Sequence, residues 1–234
     1  MSRNALIVGA GSGISASFAR ALAADGFQVV LAARNTEKLS DLCQQTSGIA
    51  IACDVTSAES VNHLFASMND QVGAAEVVLY NPSAYTAGGI TELDPDTVHQ
   101  CLMQTAYGAF LVAQPAVRDM RALGKGALFF TGATASIKGF PNFSSFAMGK
   151  FALRGLAQSL ARELGPENIH VAHFLIDGGV ASPGRDLLGS EPAEEGDDSG
   201  LEPDAIAQTY LAVLKQHRSA WTHEIDMRPW VESF

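Results

Sequence analysis

Cysteine is scarce in this chain of 234 residues: Cys43, Cys53 and Cys101 are the only three, and no two stand as C-x-x-C. An odd, scattered set argues against a disulfide framework and fits reduced thiols in a cytoplasmic protein. No apolar run approaches the ~18 residues of a membrane helix. Apolar sequence begins within a few residues of Met1, leaving no room for a secretory signal. Positive charge is also short, with 15 Lys and Arg against 25 Asp and Glu and a net charge of −10. That balance counts against nucleic acid as a partner. Half of the net charge, at Glu191, Glu194, Glu195, Asp197 and Asp198, falls in the one low-complexity stretch, 189–200, and reads as a solvated loop. With 47% hydrophobic and 17% charged residues, the composition is that of a globular protein, one larger domain with a substantial core.

What the chain does have is concentrated at its start. Ala5–Val8 is a short apolar run of the kind buried on both faces of a parallel sheet. Gly9, Gly11 and Gly13 follow, and then Ile14 to Asp25 shows helical spacing through Ile14, Phe18, Ala21 and Leu22. Strand, glycine turn and helix in that order can hold a dinucleotide pyrophosphate. Glycine lets the backbone approach the phosphates, and the helix N-terminus presents free N–H groups with partial positive charge. Because position 14 is Ile, the spacing is not a full G-x-G-x-x-G, and an ordinary strand-to-helix turn would read the same way.

Further strands read at Gln28–Ala33, Ile49–Cys53, Val77–Tyr80, Gly126–Thr131, Ile169–Ile176 and near Thr222–Met227. Helices read at Glu37–Gln45, Ser57–Asn69 with Ser57 as N-cap, Asp96–Leu123, Ser144–Leu164 and Pro203–Gln216. Six alternations with short connections predict an α/β fold: a single-domain, doubly wound parallel sheet, Rossmann-type, with helices on both faces. Such a sheet places its ligand crevice at the C-terminal ends of the strands.

Five stretches together resemble the short-chain dehydrogenase/reductase family over nearly the whole length. Gly9-Ala10-Gly11-Ser12-Gly13-Ile14-Ser15 is similar to the family's T-G-x-x-x-G-I-G turn, with Val8 for the Thr and Ser15 for the last Gly. Asp54-Val55 resembles its adenine-contacting D-V pair. Asn81-Pro82-Ser83-Ala84 stands in place of N-N-A-G, and Phe146-Ala147-Met148-Gly149-Lys150 in place of Y-x-x-x-K. Asp177-Gly178-Gly179-Val180-Ala181-Ser182 resembles P-G-x-V-x-T. The resemblance implies cofactor-binding roles for Gly9, Gly11, Ser12, Gly13, Ile14, Arg34, Asp54, Val55, Asn81, Lys150, Val180 and Ser182. It also implies a substrate lid at 183–201 and a homodimer or homotetramer built on the two long helices.

The resemblance fails where the family does its chemistry. Phe146 occupies the place of the proton-transferring Tyr, Ala133 that of the Ser thirteen residues earlier, and Thr105 that of the supporting Asn. Phe has no proton to exchange and Ala cannot hold a carbonyl oxygen, so the usual acid–base route is closed. Lys150 remains, with two readings: ribose binding alone, or proton transfer once burial lowers its pKa. Thr134 stands next to the missing Ser, close enough to hold an oxygen; Tyr107, Ser144, Ser145 and Tyr85 are further candidates, with packing or capping as their plainer roles.

At the end of the second strand Ala33 stands where an acid would accept the 2′-hydroxyl of NAD, and Arg34 follows, suited to a 2′-phosphate. NADP is therefore expected over NAD. His170 and His173 fall on opposite faces of a strand and do not form a shared metal site. Trp221, Trp230 and Phe234 read as packing at the sheet edge or at a subunit contact. The expectation is an NADP-dependent oxidoreductase that moves hydride to or from a small carbonyl, alcohol or activated alkene with an altered proton donor. The alternative is a catalytically retired NADP-binding sensor or partner subunit.

Overall fold

The computed structural model describes residues 3–181 and 199–232. Seven strands, β1 (Arg3–Val8), β2 (Phe27–Ala33), β3 (Ile49–Ala52), β4 (Val77–Tyr80), β5 (Gly126–Thr131), β6 (Ile169–Ile176) and β7 (Glu224–Met227), form one parallel sheet in the order β3-β2-β1-β4-β5-β6-β7. β1 pairs with both β2 and β4, so the strand order reverses between β1 and β4 and a crevice opens there.

The apolar runs become strands because helices cover both faces of the sheet. Leu6, Val8, Val78, Tyr80, Leu128 and Phe130 pack against α3 (Ala58–Gln71), α5 (Gly108–Leu123) and α6 (Ser144–Leu164). Their sequence neighbours Ala5, Ile7, Leu79, Phe129 and Phe174 face α1 (Ile14–Ala24), α2 (Ser40–Thr46) and α7 (Pro203–Leu214). The period-2 alternation thus feeds two cores, each Val, Leu, Ile or Phe side chain worth about 1.5–3 kcal/mol of burial. Ser57 caps α3 as expected, its side chain accepting from Ser60 N–H at 3.2 Å.

The structure corrects several boundaries. Glu37–Gln45 is a single 3₁₀ turn, Glu37–Leu39, followed by α2. Asp96–Leu123 is not one helix: α4 (Pro95–Leu102) and α5 are joined by a π turn over Met103–Tyr107. The Tyr80 hydroxyl donates to the Gln104 carbonyl, and the Thr105 hydroxyl accepts from Ala84 N–H at 3.1 Å. These tertiary bonds engage backbone and side chain within the wide turn. Gln216 lies beyond α7, with its side chain bonding Thr222 at 2.7 Å, and β7 begins two residues after Thr222. The acidic run 191–198, Ser182, Phe234 and most of the 183–201 lid lie outside the described residues. Among the described residues no helix is long and apolar enough to cross a membrane, and all three cysteines are free thiols.

Candidate functional site

The crevice has two parts. The first, about 690 Å³, lies over the C-terminal ends of β1 and β2 and is lined by Gly9, Gly11, Ser12, Arg34, Asp54, Val55 and Asn81. Gly9 sits at φ +77°, and a Cβ there would meet the Pro82 ring at 2.8 Å, so no other residue fits. Its N–H and that of Ala10 both reach the Ala32 carbonyl at 2.9 Å, folding the turn onto β2. Gly13, at φ +84°, starts α1 without any side-chain cap. Ser15, in the place of the family's last glycine, is buried. Its hydroxyl donates to the Gly9 carbonyl at 3.0 Å and accepts from Asn81 Nδ2 at 2.9 Å, tying the glycine turn to the end of β4.

Charge separates along this cleft. Arg34 and Lys38 line it together, two cations on the segment that leaves β2, Lys38 in the 3₁₀ turn Glu37–Leu39. The Asp54 carboxyl is held below its ordinary pKa by the Thr56 backbone N–H at 3.0 Å and hydroxyl at 2.8 Å, with Arg34 adding to the effect. Lys38 was missed in the sequence, although its place four residues after Arg34 was a usable signal. Ser83 borders both parts of the crevice, and its buried hydroxyl has no partner among the described residues. An uncapped helix start, a glycine turn, two cations and an orphaned hydroxyl fit a dinucleotide carrying an additional phosphate.

The second part is an apolar cavity of about 460 Å³ where Phe140, Phe143 and Phe146 face Thr134, Lys150 and Asp177. Ile14 and Val180 line it too, and Val180 bridges to Leu201. Lys150 is only 3% exposed, and its Nζ donates to the Thr131 carbonyl at 2.8 Å. Burial pushes its pKa down from 10.5 to about 7. The Phe146 ring packs 5.6 Å from Tyr85, with Lys150 Nζ 5.9 Å from its centroid. The Thr134 hydroxyl donates its proton to Asp177, which also pairs with Arg228 at 3.4 Å.

Thr105, Ser145, Tyr107, His170 and His173 each have structural partners. Thr105 holds the loop after β4 through Ala84. Ser145 does not cap α6; its buried hydroxyl donates to the Thr86 carbonyl at 2.7 Å and accepts from Thr86 N–H at 3.0 Å. Tyr107 stacks on Phe110 at the surface. His170 stacks on Trp221 with centroids 4.6 Å apart, whereas His173 Nδ1 bonds Glu224 at 2.9 Å. Trp221 thus packs at the sheet edge, but Trp230 is 83% exposed.

A doubly wound sheet with a glycine turn at its reversal point and an apolar cavity beside it defines the class, a dinucleotide-fold α/β protein. The short chain dehydrogenase family model matches residues 3–186, and the chain belongs to that family. An uncharacterized oxidoreductase of Staphylococcus aureus is 30% identical over 232 residues, with 96% of each chain covered. The 3-oxoacyl-[acyl-carrier-protein] reductase MabA of Mycobacterium bovis is 29% identical over 169 residues, covering 72% of this chain and 66% of MabA. A short-chain dehydrogenase structure from Rhodopseudomonas palustris superimposes with TM-score 0.82 at 33% identity, covering 97% of this chain and 99% of that one. An alcohol dehydrogenase of Thermococcus sibiricus, complexed with 5-hydroxy-NADP, shares the fold at TM-score 0.87 and 24% identity, covering 100% of this chain and 99% of that one.

Proposed function

We propose that this chain is an NADP-dependent oxidoreductase acting on a small carbonyl, alcohol or activated alkene, with a proton donor other than the family's tyrosine. The observation that carries the reading is the pairing of a polar, cation-bearing cleft at the glycine turn with an apolar cavity that meets it at Ser83. NADP, when bound, supplies hydride transfer at its nicotinamide. Gly9, Gly11, Ser12, Gly13 and Ile14 would hold the pyrophosphate at the start of α1, and Arg34 and Lys38 the 2′-phosphate. Asp54 and Val55 would meet the adenine, Asn81 would brace the turn, and Lys150 would hold the ribose hydroxyls. The complex of the Thermococcus sibiricus neighbour with an NADP derivative supports the choice of cofactor. Val180, and Ser182 beyond the described residues, would close the nicotinamide end.

The test is NADPH oxidation by the purified protein against aldehydes, ketones and enones, with Lys150→Met as the binding-deficient control. Consumption of NADPH with at least one class supports the reading. Cofactor binding without turnover on any of them favours the second reading, a sensor or partner subunit, which the loss of hydroxyl and amide at Phe146, Ala133 and Thr105 motivates. Two copies would pair through α5, the π turn that precedes it and α6, where Tyr107, Phe110, Met148 and Phe151 are each 42–50% exposed. Light scattering on Phe151→Asp, which should shift a homodimer or homotetramer to smaller species, tests this. Three free thiols support a cytoplasmic setting, and the net charge of −10 supports small molecules over nucleic acid as partners.

A further inference from the structure

Asp177 stands where the family motif has proline, at the end of β6, and no part of the cofactor reading uses it. It is 3% exposed yet lines the apolar cavity, among aromatic rings, where a carboxylate needs a reason to be. Its two oxygens are engaged differently. Oδ1 accepts the Thr134 hydroxyl, and Oδ2 faces Arg228 at 3.4 Å. The pair lies 43 residues apart in sequence and comes together only because β5 and β6 are neighbours in register, Thr131 opposite Phe174. Thr134 follows Ala133, so a hydroxyl is present one residue from the place the family uses.

We infer that Thr134 and Asp177 form a two-residue proton relay that replaces the missing tyrosine, with Thr134 meeting the substrate oxygen and Asp177 acting through it. Because the Thr134 proton is given to Asp177, its oxygen is left as an acceptor inside the cavity, the arrangement that receives an alcohol O–H. In the oxidative direction the alcohol proton passes to Thr134 Oγ1 as the Thr134 proton passes to Asp177 Oδ1. The carbinol C–H bond breaks, its electron pair leaving as hydride to the oxidant NADP⁺, and the C–O bond becomes a carbonyl. Asp177 then releases its proton to water. Reduction runs the same steps in reverse. The relay narrows the substrate to an alcohol/carbonyl pair rather than an alkene. Its side walls, Phe140, Phe143 and Phe146, select an apolar body for that substrate. The inference rests on the proposed NADP reading, with Asp177 as a positioning residue and Thr134 as the catalytic one.

The test uses cyclohexanol, 1-phenylethanol and 2-butanol, with the protein first titrated with NADPH. Two readouts are taken: NADP⁺ reduction by each alcohol, and affinity of each alcohol for the NADPH-loaded protein, in which no hydride acceptor is present. The relay predicts turnover in the native protein, retained within about fivefold in Thr134→Ser. It predicts a loss of about 10²–10³-fold in kcat for Thr134→Val and Asp177→Asn. Alcohol affinity should fall about tenfold in Thr134→Val, with NADPH affinity unchanged in every variant. Equal kcat in Thr134→Val and the native protein overturns the relay. So does the absence of both alcohol binding and turnover in protein that binds NADPH, which leaves the cofactor reading standing. Failure to bind NADPH at all removes both.

Discussion

Replacing Lys150 by Met should make the cofactor-free protein more stable while removing its affinity for NADPH. Lys150 is buried with a backbone carbonyl as its hydrogen-bond acceptor, and its pKa falls from 10.5 to about 7. In the unfolded chain the amine stays protonated up to pH 10.5, so between pH 7 and 10.5 the unfolded state binds more protons than the folded one. Stability therefore rises with pH across that window, and the burden on the fold is complete below pH 7. The difference corresponds to roughly 3–5 kcal/mol. Met fills a similar volume without charge but gives up the bond to Thr131, worth about 1 kcal/mol. A net gain of about 2–4 kcal/mol at pH 7 becomes a rise in Tm of roughly 5–10 °C for a chain of this size. Thermal unfolding of both proteins without cofactor, followed from pH 6 to 11, reads it directly. The gap between them should close as pH rises above 10. A lower Tm for Lys150→Met at pH 7, or a gap independent of pH, would refute the assignment of Lys150 as a charge held out of water for the cofactor.

Four other outcomes follow from the same structure. Arg34→Ala removes a cation from the polar cleft and should weaken NADPH about 10–100-fold while leaving NADH nearly unchanged, as read by nicotinamide fluorescence. His173 is buried and neutral, its pKa pushed down to about 4 despite Glu224 beside it. The unfolded state takes its proton first as pH drops, so up to about 3 kcal/mol of stability should disappear between pH 6.5 and 4, measurable by urea unfolding at three pH values. Leu79→Ala empties a fully buried site in the central strand and should lose about 2–5 kcal/mol in the same assay. The double change Phe146→Tyr with Ala133→Ser restores a phenol four residues before Lys150, and carbonyl reduction should rise at least tenfold.

How much of this was visible beforehand depends on the range of the interactions. β1, β4, β5 and β6 read correctly because strands buried on both faces are continuous apolar runs, a purely local signal. The glycine turn and Arg34 were equally local, and both fall in the polar cleft. The π turn was not readable, since its bonds come from Tyr80 and Ala84 some twenty residues upstream. Thr134 was found, but its bond to Asp177 depends on strand order. Lys38 lies in the 3₁₀ turn Glu37–Leu39, where the sequence pattern reads an ordinary helix, and that turn brings it to the cleft beside Arg34. Trp221 and Trp230 look alike in sequence, yet one stacks on His170 and the other is 83% exposed, a difference set by tertiary contacts.

The measurement that bears most directly on the whole account is a titration of the purified protein with NADPH and, separately, NADH, following nicotinamide fluorescence and the shift in Tm. The account predicts saturable NADPH binding at micromolar concentration or below, a rise in Tm, and NADH weaker by at least tenfold. No binding of either dinucleotide, or equal binding of both with no response to Arg34→Ala, would contradict it.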